Sequence, residues 1–180
     1  MGKRSNFERV ERDFYPTPLP AVKALIPHIK YITNFIEPCA GDGALVDHLE
    51  SYDKKCVFKS DIEPRREDIH KCDALDISAW LYDSEAEVII TNPPWDRSLL
   101  HPMIMHFVSL KPTWLLFDAD WMHNKSSSAF MPYLKAIVSI GRVKWIPDSK
   151  STGKDNCCWY LFEKDVYLGT KFYGRHWERK

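Results

Sequence analysis

The sequence predicts an α/β fold, with one mostly parallel central sheet, helices on both faces and an antiparallel hairpin at the C-terminal end. Three observations carry this. Short β-rich runs alternate with helical stretches along the 180 residues, the pattern of strands joined by crossover helices. A glycine turn, Gly41-Asp42-Gly43, falls between a strand and a helix, where a sheet of this kind meets a ligand. Two late β-rich runs, Arg142 to Ile146 and Cys158 to Phe162, flank the polar loop Pro147 to Asn156, which reads as a hairpin at the sheet edge.

In chain order, a helix is expected over about Pro20 to Lys30, a strand over Asn34 to Ile36 and a helix over Ala44 to Ser51. Cys56 to Ser60 reads as the next strand. Asp76 reads as the N-cap of a following helix, because its short side chain accepts from orphan N–H groups there. Val88 to Thr91 is a short buried strand, Leu99 to Leu110 a mostly apolar helix, Trp114 to Phe117 a strand and Ser127 to Ile137 a helix. The strand residues Ile36, Val57, Val88, Ile89, Ile90, Leu115 and Leu116 are the expected core.

Hydrophobic residues make up 44% and charged residues 28%, the balance of a globular domain, and the length suits one domain over 1–180. No apolar run reaches membrane-spanning length, and the first residues lack the apolar stretch of a secretory leader, so a cytoplasmic protein with no membrane partner is expected. The five cysteines are odd in number and lack C-x-x-C spacing, which points away from a disulfide framework or a zinc site, and no metal is expected. Net charge is zero, yet both ends, 1–12 and 171–180, are basic and read as candidate flexible tails.

The residues that carry chemistry follow the strands. Gly41 and Gly43 supply a turn at which a cofactor can approach the backbone, as in Rossmann-like folds. Asp61 stands eighteen residues beyond Gly43 at a strand end, near the spacing at which a carboxylate accepts from two ribose hydroxyls. Asp73, in Cys72-Asp73-Ala74-Leu75, suits the amino group of a bound adenine. Asn92-Pro93-Pro94-Trp95 directly follows the buried strand Val88 to Thr91. Its two prolines remove two N–H donors and leave carbonyl acceptors unspent. The Asn92 side-chain oxygen and the Pro93 carbonyl can then hold the two hydrogens of one amino group, with Trp95 stacked on the attached ring.

These motifs resemble those of amino methyltransferases acting on adenine N6. Glu37-Pro38-Cys39-Ala40-Gly41-Asp42-Gly43 looks like their cofactor motif and Asn92-Pro93-Pro94-Trp95 like their catalytic motif. Asp13-Phe14-Tyr15-Pro16-Thr17-Pro18 is similar to the N-terminal motif that cradles the methionine end of the cofactor. That motif order is typical of one DNA adenine methyltransferase subgroup, which includes small enzymes of phages and restriction-modification systems. The resemblance spans residues 13–95. It implies a class I methyltransferase fold, S-adenosyl-L-methionine as cofactor and DNA as the favoured nucleic-acid partner. The cofactor wall it implies is Tyr15, Thr17, Pro18, Glu37, Pro38, Cys39, Ala40, Gly41, Gly43, Asp61, Ile62, Asp73, Ala74 and Asn92.

On this reading a target base leaves its stack to reach the pocket, and Arg142, Lys144, Lys150 and Lys154, in or beside the polar loop, are candidate phosphate contacts. A solvated hairpin loop accounts for the same charges. Adenine in RNA, the side-chain amide of a protein glutamine and a non-catalytic cofactor-binding scaffold are the competing readings.

Overall fold

A computed structural model describes residues 14–77, 84–146, 152–166 and 168–175. Eight strands among them form one sheet: β1 (Asn34–Glu37), β2 (Lys55–Asp61), β3 (His70–Lys71), β4 (Val88–Thr91), β5 (Thr113–Asp118), β6 (Leu134–Arg142), β7 (Asn156–Phe162) and β8 (Lys171–Tyr173). Their order is β3-β2-β1-β4-β5-β7-β6-β8. The pairs β2/β3, β1/β2, β1/β4 and β4/β5 are parallel, and β7 runs antiparallel to both β5 and β6. The chain leaves β1 toward β2 on one side and returns to β4 on the other. The carboxyl end of β1 therefore opens a crevice between diverging connections, the place where open α/β sheets bind ligands.

Alternation along the strands builds two cores. Phe35, Val88, Ile90, Trp114 and Leu116 face α1 (Leu19–Leu25) and α2 (Ala44–Glu50), whose Ala21, Val22, Leu25, Leu45, Val46 and Leu49 complete that layer. Ile36, Ile89, Leu115 and Phe117 face α3 (Arg97–Leu110), with Leu100, Ile104 and Phe107 against them. A two-residue side-chain period sends successive residues to opposite faces, so these nearly unbroken apolar strands need helices on both. Six of the seven expected core residues are fully buried, and Val57 is half-buried against the α3-side cluster.

The element boundaries differ from expectation in several places. The first helix stops at Leu25 and tightens into a 3₁₀ turn over Ile26–His28, because Pro27 cannot donate to the helical ladder. The helix expected from Leu99 starts at Arg97, since the Asp96 carboxylate accepts from the Ser98 N–H at 2.8 Å and from its hydroxyl at 2.6 Å.

The helix expected over Ser127 to Ile137 is absent. Lys125–Tyr133 forms 3₁₀ turns, and β6 begins at Leu134. Pro132 lacks the N–H of a continuing helix and disfavours helical angles at Met131, while Ile137, Val138 and Ile140 are β-branched and pair into the sheet. The hairpin consequently lies eight residues earlier than its first expected strand, and Val143 to Ile146 leaves the sheet. The C-terminal end adds β8, which pairs parallel with β6 through Ala136↔Lys171 and Ile137↔Phe172, so the hairpin is not the outermost element. The helix expected after Asp76, the whole of the tail 1–12 and residues 176–180 lie outside the described residues.

Candidate active site

The chain turns sharply at the end of β1. Ala40 N–H donates to the Ser60 carbonyl at 2.9 Å and Gly43 N–H to the Ala40 carbonyl at 2.7 Å, with Gly41 at φ 54° and Gly43 at φ 83°, angles that favour glycine. A Cβ at Gly41 would stand 2.7 Å from Cε2 of Phe14, so the bare backbone is what lets that ring settle on the turn. The Gly41 N–H donates to Asp61 Oδ2 at 2.8 Å, and the Glu63 N–H to Asp61 Oδ1 at 2.8 Å. Both carboxylate oxygens are thereby fixed by backbone, and each keeps a lone pair for a ligand hydroxyl. Asp73 closes a turn, with Oδ1 accepting from the Leu75 N–H at 2.9 Å and its carbonyl from the Asp76 N–H.

Asn92 stands at the carboxyl end of β4, beside β1. Its Nδ2 donates to the Tyr15 carbonyl at 3.3 Å, and its Oδ1 accepts from Trp95 Nε1 at 3.3 Å. The same indole N–H reaches the Leu116 carbonyl at 3.2 Å, so Trp95 is pinned edge-inward. The amide is thus oriented by two distant segments, and one lone pair of Oδ1 remains for an incoming N–H.

A cavity of about 620 Å³ joins these parts. Its wall includes Tyr15, Thr17, Glu37, Pro38, Cys39, Ala40, Gly41, Asp61, Ile62, Asp73, Ala74, Asn92 and Pro94 from the expected set. Pro18, Gly43, Pro93 and Trp95 lie outside that wall. Pro18 is the N-cap residue of α1, Gly43 opens α2, where a Cβ would meet the Arg66 guanidinium at 2.4 Å, and Pro93 is buried. Phe14 and Asp42, which stood in the two cofactor motifs without a role of their own, also line it, and the sequence reading missed Glu63, Arg65, Asp96, Leu99 and Met103, which complete much of the wall. Leu99 and Met103 carried a signal, since residues four apart in a helix that follows the Asn92 motif share one face. Arg65 carried none.

Glu37 is fully buried, and its Oε2 has no hydrogen-bond partner. Burial, then the nearby Asp61 and Asp42 carboxylates, raise its pKa well above the ordinary 4.5, with Arg66 opposing. The unfolded chain releases this proton near the ordinary value, whereas the folded chain retains it to higher pH. Glu37 therefore contributes stability that is complete below about pH 4.5 and is lost as pH rises through the folded-state value. Glu37→Gln should flatten that decline, read as the difference between variant and wild-type melting temperatures from pH 4 to 9. A constant difference would remove Glu37 as the cause. Cys39, also in the wall, has its thiol pKa pushed up by burial and by Asp61, so it stands as a neutral thiol.

Of the candidate phosphate contacts, Arg142, Lys144 and Lys154 are exposed, and Lys150 lies outside the described residues. Trp145, one residue beyond Lys144, sits edge-on to Trp95 with centroids 5.6 Å apart and lies 6.3 Å from the Tyr15 ring. The segment carrying Arg142 and Lys144 thus adjoins the Asn92 motif. Among the described residues, no group of three His, Cys, Asp or Glu side chains is placed to hold a metal ion, and no helix is long and apolar enough to cross a membrane.

No family model matches the sequence, and no curated protein matches it. Solved structures do resemble it. One is a "putative RNA methyltransferase" from Pyrococcus horikoshii, at TM-score 0.59 and 16% identity, covering 89% of this chain and 91% of that one. Another is a "putative class I S-adenosylmethionine-dependent methyltransferase" from Listeria monocytogenes, at TM-score 0.62 and 12% identity, covering 94% and 68%. A third belongs to a type I restriction-modification system, at TM-score 0.58 and 14% identity, and the match covers 95% of this chain but only 46% of that one. At these identities the likeness is one of fold: the chain has the class I methyltransferase architecture.

Proposed function

We propose that this chain transfers a methyl group from S-adenosyl-L-methionine to the exocyclic N6 amino group of adenine, in DNA by preference. The observation that carries the reading is that one cavity at the carboxyl ends of β1, β2 and β4 is walled by the Gly41 turn, Asp61, Asp73 and Asn92 together. A glycine turn, a carboxylate or an N-P-P segment alone is common. Their convergence from three strands upon one space is not.

The residues present fit the cofactor. The volume lies within the range of small-molecule sites. The wall is rich in carboxylates, which suits a ligand carrying a sulfonium and an ammonium, and the orphaned Glu37 Oε2 is a buried polar atom left for a ligand to pair. Asp61 would take the ribose hydroxyls, Asp73 the adenine amino group, and the Tyr15 to Pro18 segment the methionine end.

When bound, the cofactor supplies a methyl group already activated by its sulfonium. The protein's part is placement. Asn92 Oδ1 and the Pro93 carbonyl would accept from the two N–H bonds of the target, favouring a pyramidal nitrogen as its lone pair turns toward the methyl carbon. Trp95, pinned by its indole N–H, offers a fixed aromatic surface next to that position. Adenine in RNA fits the same groups, as does a glutamine amide, though an indole suits a purine better. A non-catalytic scaffold would not need an oriented Asn92.

The test is transfer of label from methyl-labelled cofactor to DNA, RNA and protein extract in separate reactions, followed by hydrolysis of the product. Labelled N6-methyladenine from DNA is the expected result. Label in RNA or in protein glutamine would move the substrate, and absence of both transfer and cofactor binding would end the reading.

A further inference from the structure

The charge of the cavity wall is one-sided. Asp42, Asp61, Glu63, Asp73 and Asp96 line it beside the buried Glu37 carboxyl, and Arg65 is the single Lys or Arg among the described lining residues. The ligand proposed above, on which this inference rests, carries two cationic groups that suit such a wall and one carboxylate that does not. The Tyr15 to Pro18 segment, which meets the methionine end, carries no cationic side chain to pair with that carboxylate, and its Pro16 and Pro18 have no N–H.

Arg65 is placed to supply the missing donors. Its backbone N–H donates to the Gly41 carbonyl at 2.9 Å, which fixes its Cα beside the turn. Its guanidinium carbon lies 3.5 Å from the centroid of the Phe14 ring, and Phe14 in turn rests on the bare Gly41 backbone. Gly41, Phe14 and Arg65 thus stack in sequence at one wall of the cavity. The neighbouring Arg66 is consumed by Asp47 and Asp68, at 2.8 Å and 2.6 Å, whereas Arg65 has no carboxylate partner among the described residues. A guanidinium held over an aromatic face keeps its edge N–H groups available, because the stacking uses only its plane.

We propose that Arg65, steadied by Phe14, anchors the carboxylate of the cofactor's amino-acid end. It is a positioning residue that selects an intact amino-acid nucleoside over one lacking that end. Titration calorimetry with two probes tests this, using S-adenosylhomocysteine, which has the carboxylate, and 5′-methylthioadenosine, which has neither carboxylate nor ammonium. Arg65→Gln should weaken S-adenosylhomocysteine by roughly 10- to 100-fold, the size of a lost charge-assisted hydrogen bond. It should leave 5′-methylthioadenosine unchanged. Arg65→Lys should recover part of the loss, because charge is kept and the fork is not. Arg65 is exposed, so unaltered melting of the variants is expected and confirms folding. Equal weakening of both probes would make Arg65 a mere support for Phe14 and overturn the proposal, as would no weakening of either. Failure of the wild type to bind either probe would instead overturn the cofactor reading itself, and this proposal with it.

Discussion

Asn92→Ala should lower methyl transfer by about 100- to 1,000-fold at saturating cofactor, the usual cost of removing one preorganised polar contact from a transition state. The structure adds a second effect that the sequence did not suggest. Asn92 Nδ2 also holds the Tyr15 carbonyl, so the variant releases one tie on the N-terminal segment of the cofactor wall. One ordinary hydrogen bond is worth about 1 kcal/mol, so cofactor affinity should fall by about 5-fold, well short of the rate loss. Asn92→Asp separates the two roles. It keeps an acceptor where Oδ1 stands and sets an oxygen against the Tyr15 carbonyl in place of the N–H donor. Its affinity should therefore suffer at least as much as that of Asn92→Ala, while its rate suffers less. Single-turnover rates on adenine-containing DNA, with cofactor affinity by calorimetry, give both quantities. A wild-type rate in Asn92→Ala would remove Asn92 from the chemistry and take the adenine assignment with it.

The parts of the fold that could be read beforehand are those in which local pattern and tertiary demand agree. Val88 to Thr91 is apolar on both faces, short and followed by two prolines, and nothing but a buried strand satisfies all three. The glycine turn and Asp61 were legible for a similar reason: both sit at strand ends, and the backbone bond between Gly41 and Asp61 follows from the adjacency of β1 and β2. The failure over Ser127 to Ile137 is equally physical. Leu134, Ala136, Ile137, Val138 and Ile140 can be written on a helix or on a strand, and the decision rests on pairing with Cys157 to Phe162, more than 15 residues ahead. Arg65 and Phe14 were illegible as a pair because fifty residues separate them and only the folded turn at Gly41 brings them together. Trp145 was read as part of a strand, and its place against Trp95 depends on β6 ending at Arg142, beyond Gly141.

Gly41→Leu should abolish measurable cofactor binding, a loss of about 100-fold or more, while leaving the chain folded. A side chain at φ 54° is forced into the left-handed region at a cost of about 1–2 kcal/mol. Its Cβ would also stand 2.7 Å from Phe14 Cε2, and the ring has little room to retreat with the Arg65 guanidinium stacked on it at 3.5 Å. The turn itself cannot swing away without loss, since its N–H is bonded to Asp61 and its carbonyl to Arg65. Strain and overpacking, the latter typically about 1–3 kcal/mol, therefore fall on groups that wall the cavity, and the larger leucine branches add bulk in the same place. The loss of affinity follows from the turn and ring moving into the cavity to relieve that strain, and a 100-fold loss corresponds to about 2.8 kcal/mol of binding free energy. Gly43→Ala is the informative contrast. Gly43 lies outside the cavity wall, and its added Cβ would strike Arg66, breaking the ion pair to Asp47 that ties α2 to the segment after β2 and disturbing the pair to Asp68 within that segment. That variant should melt at lower temperature yet bind the cofactor within a few-fold of wild type once folded. If Gly41→Leu bound normally, or if Gly43→Ala proved the more damaging to binding, the cofactor would have to lie away from the β1 turn.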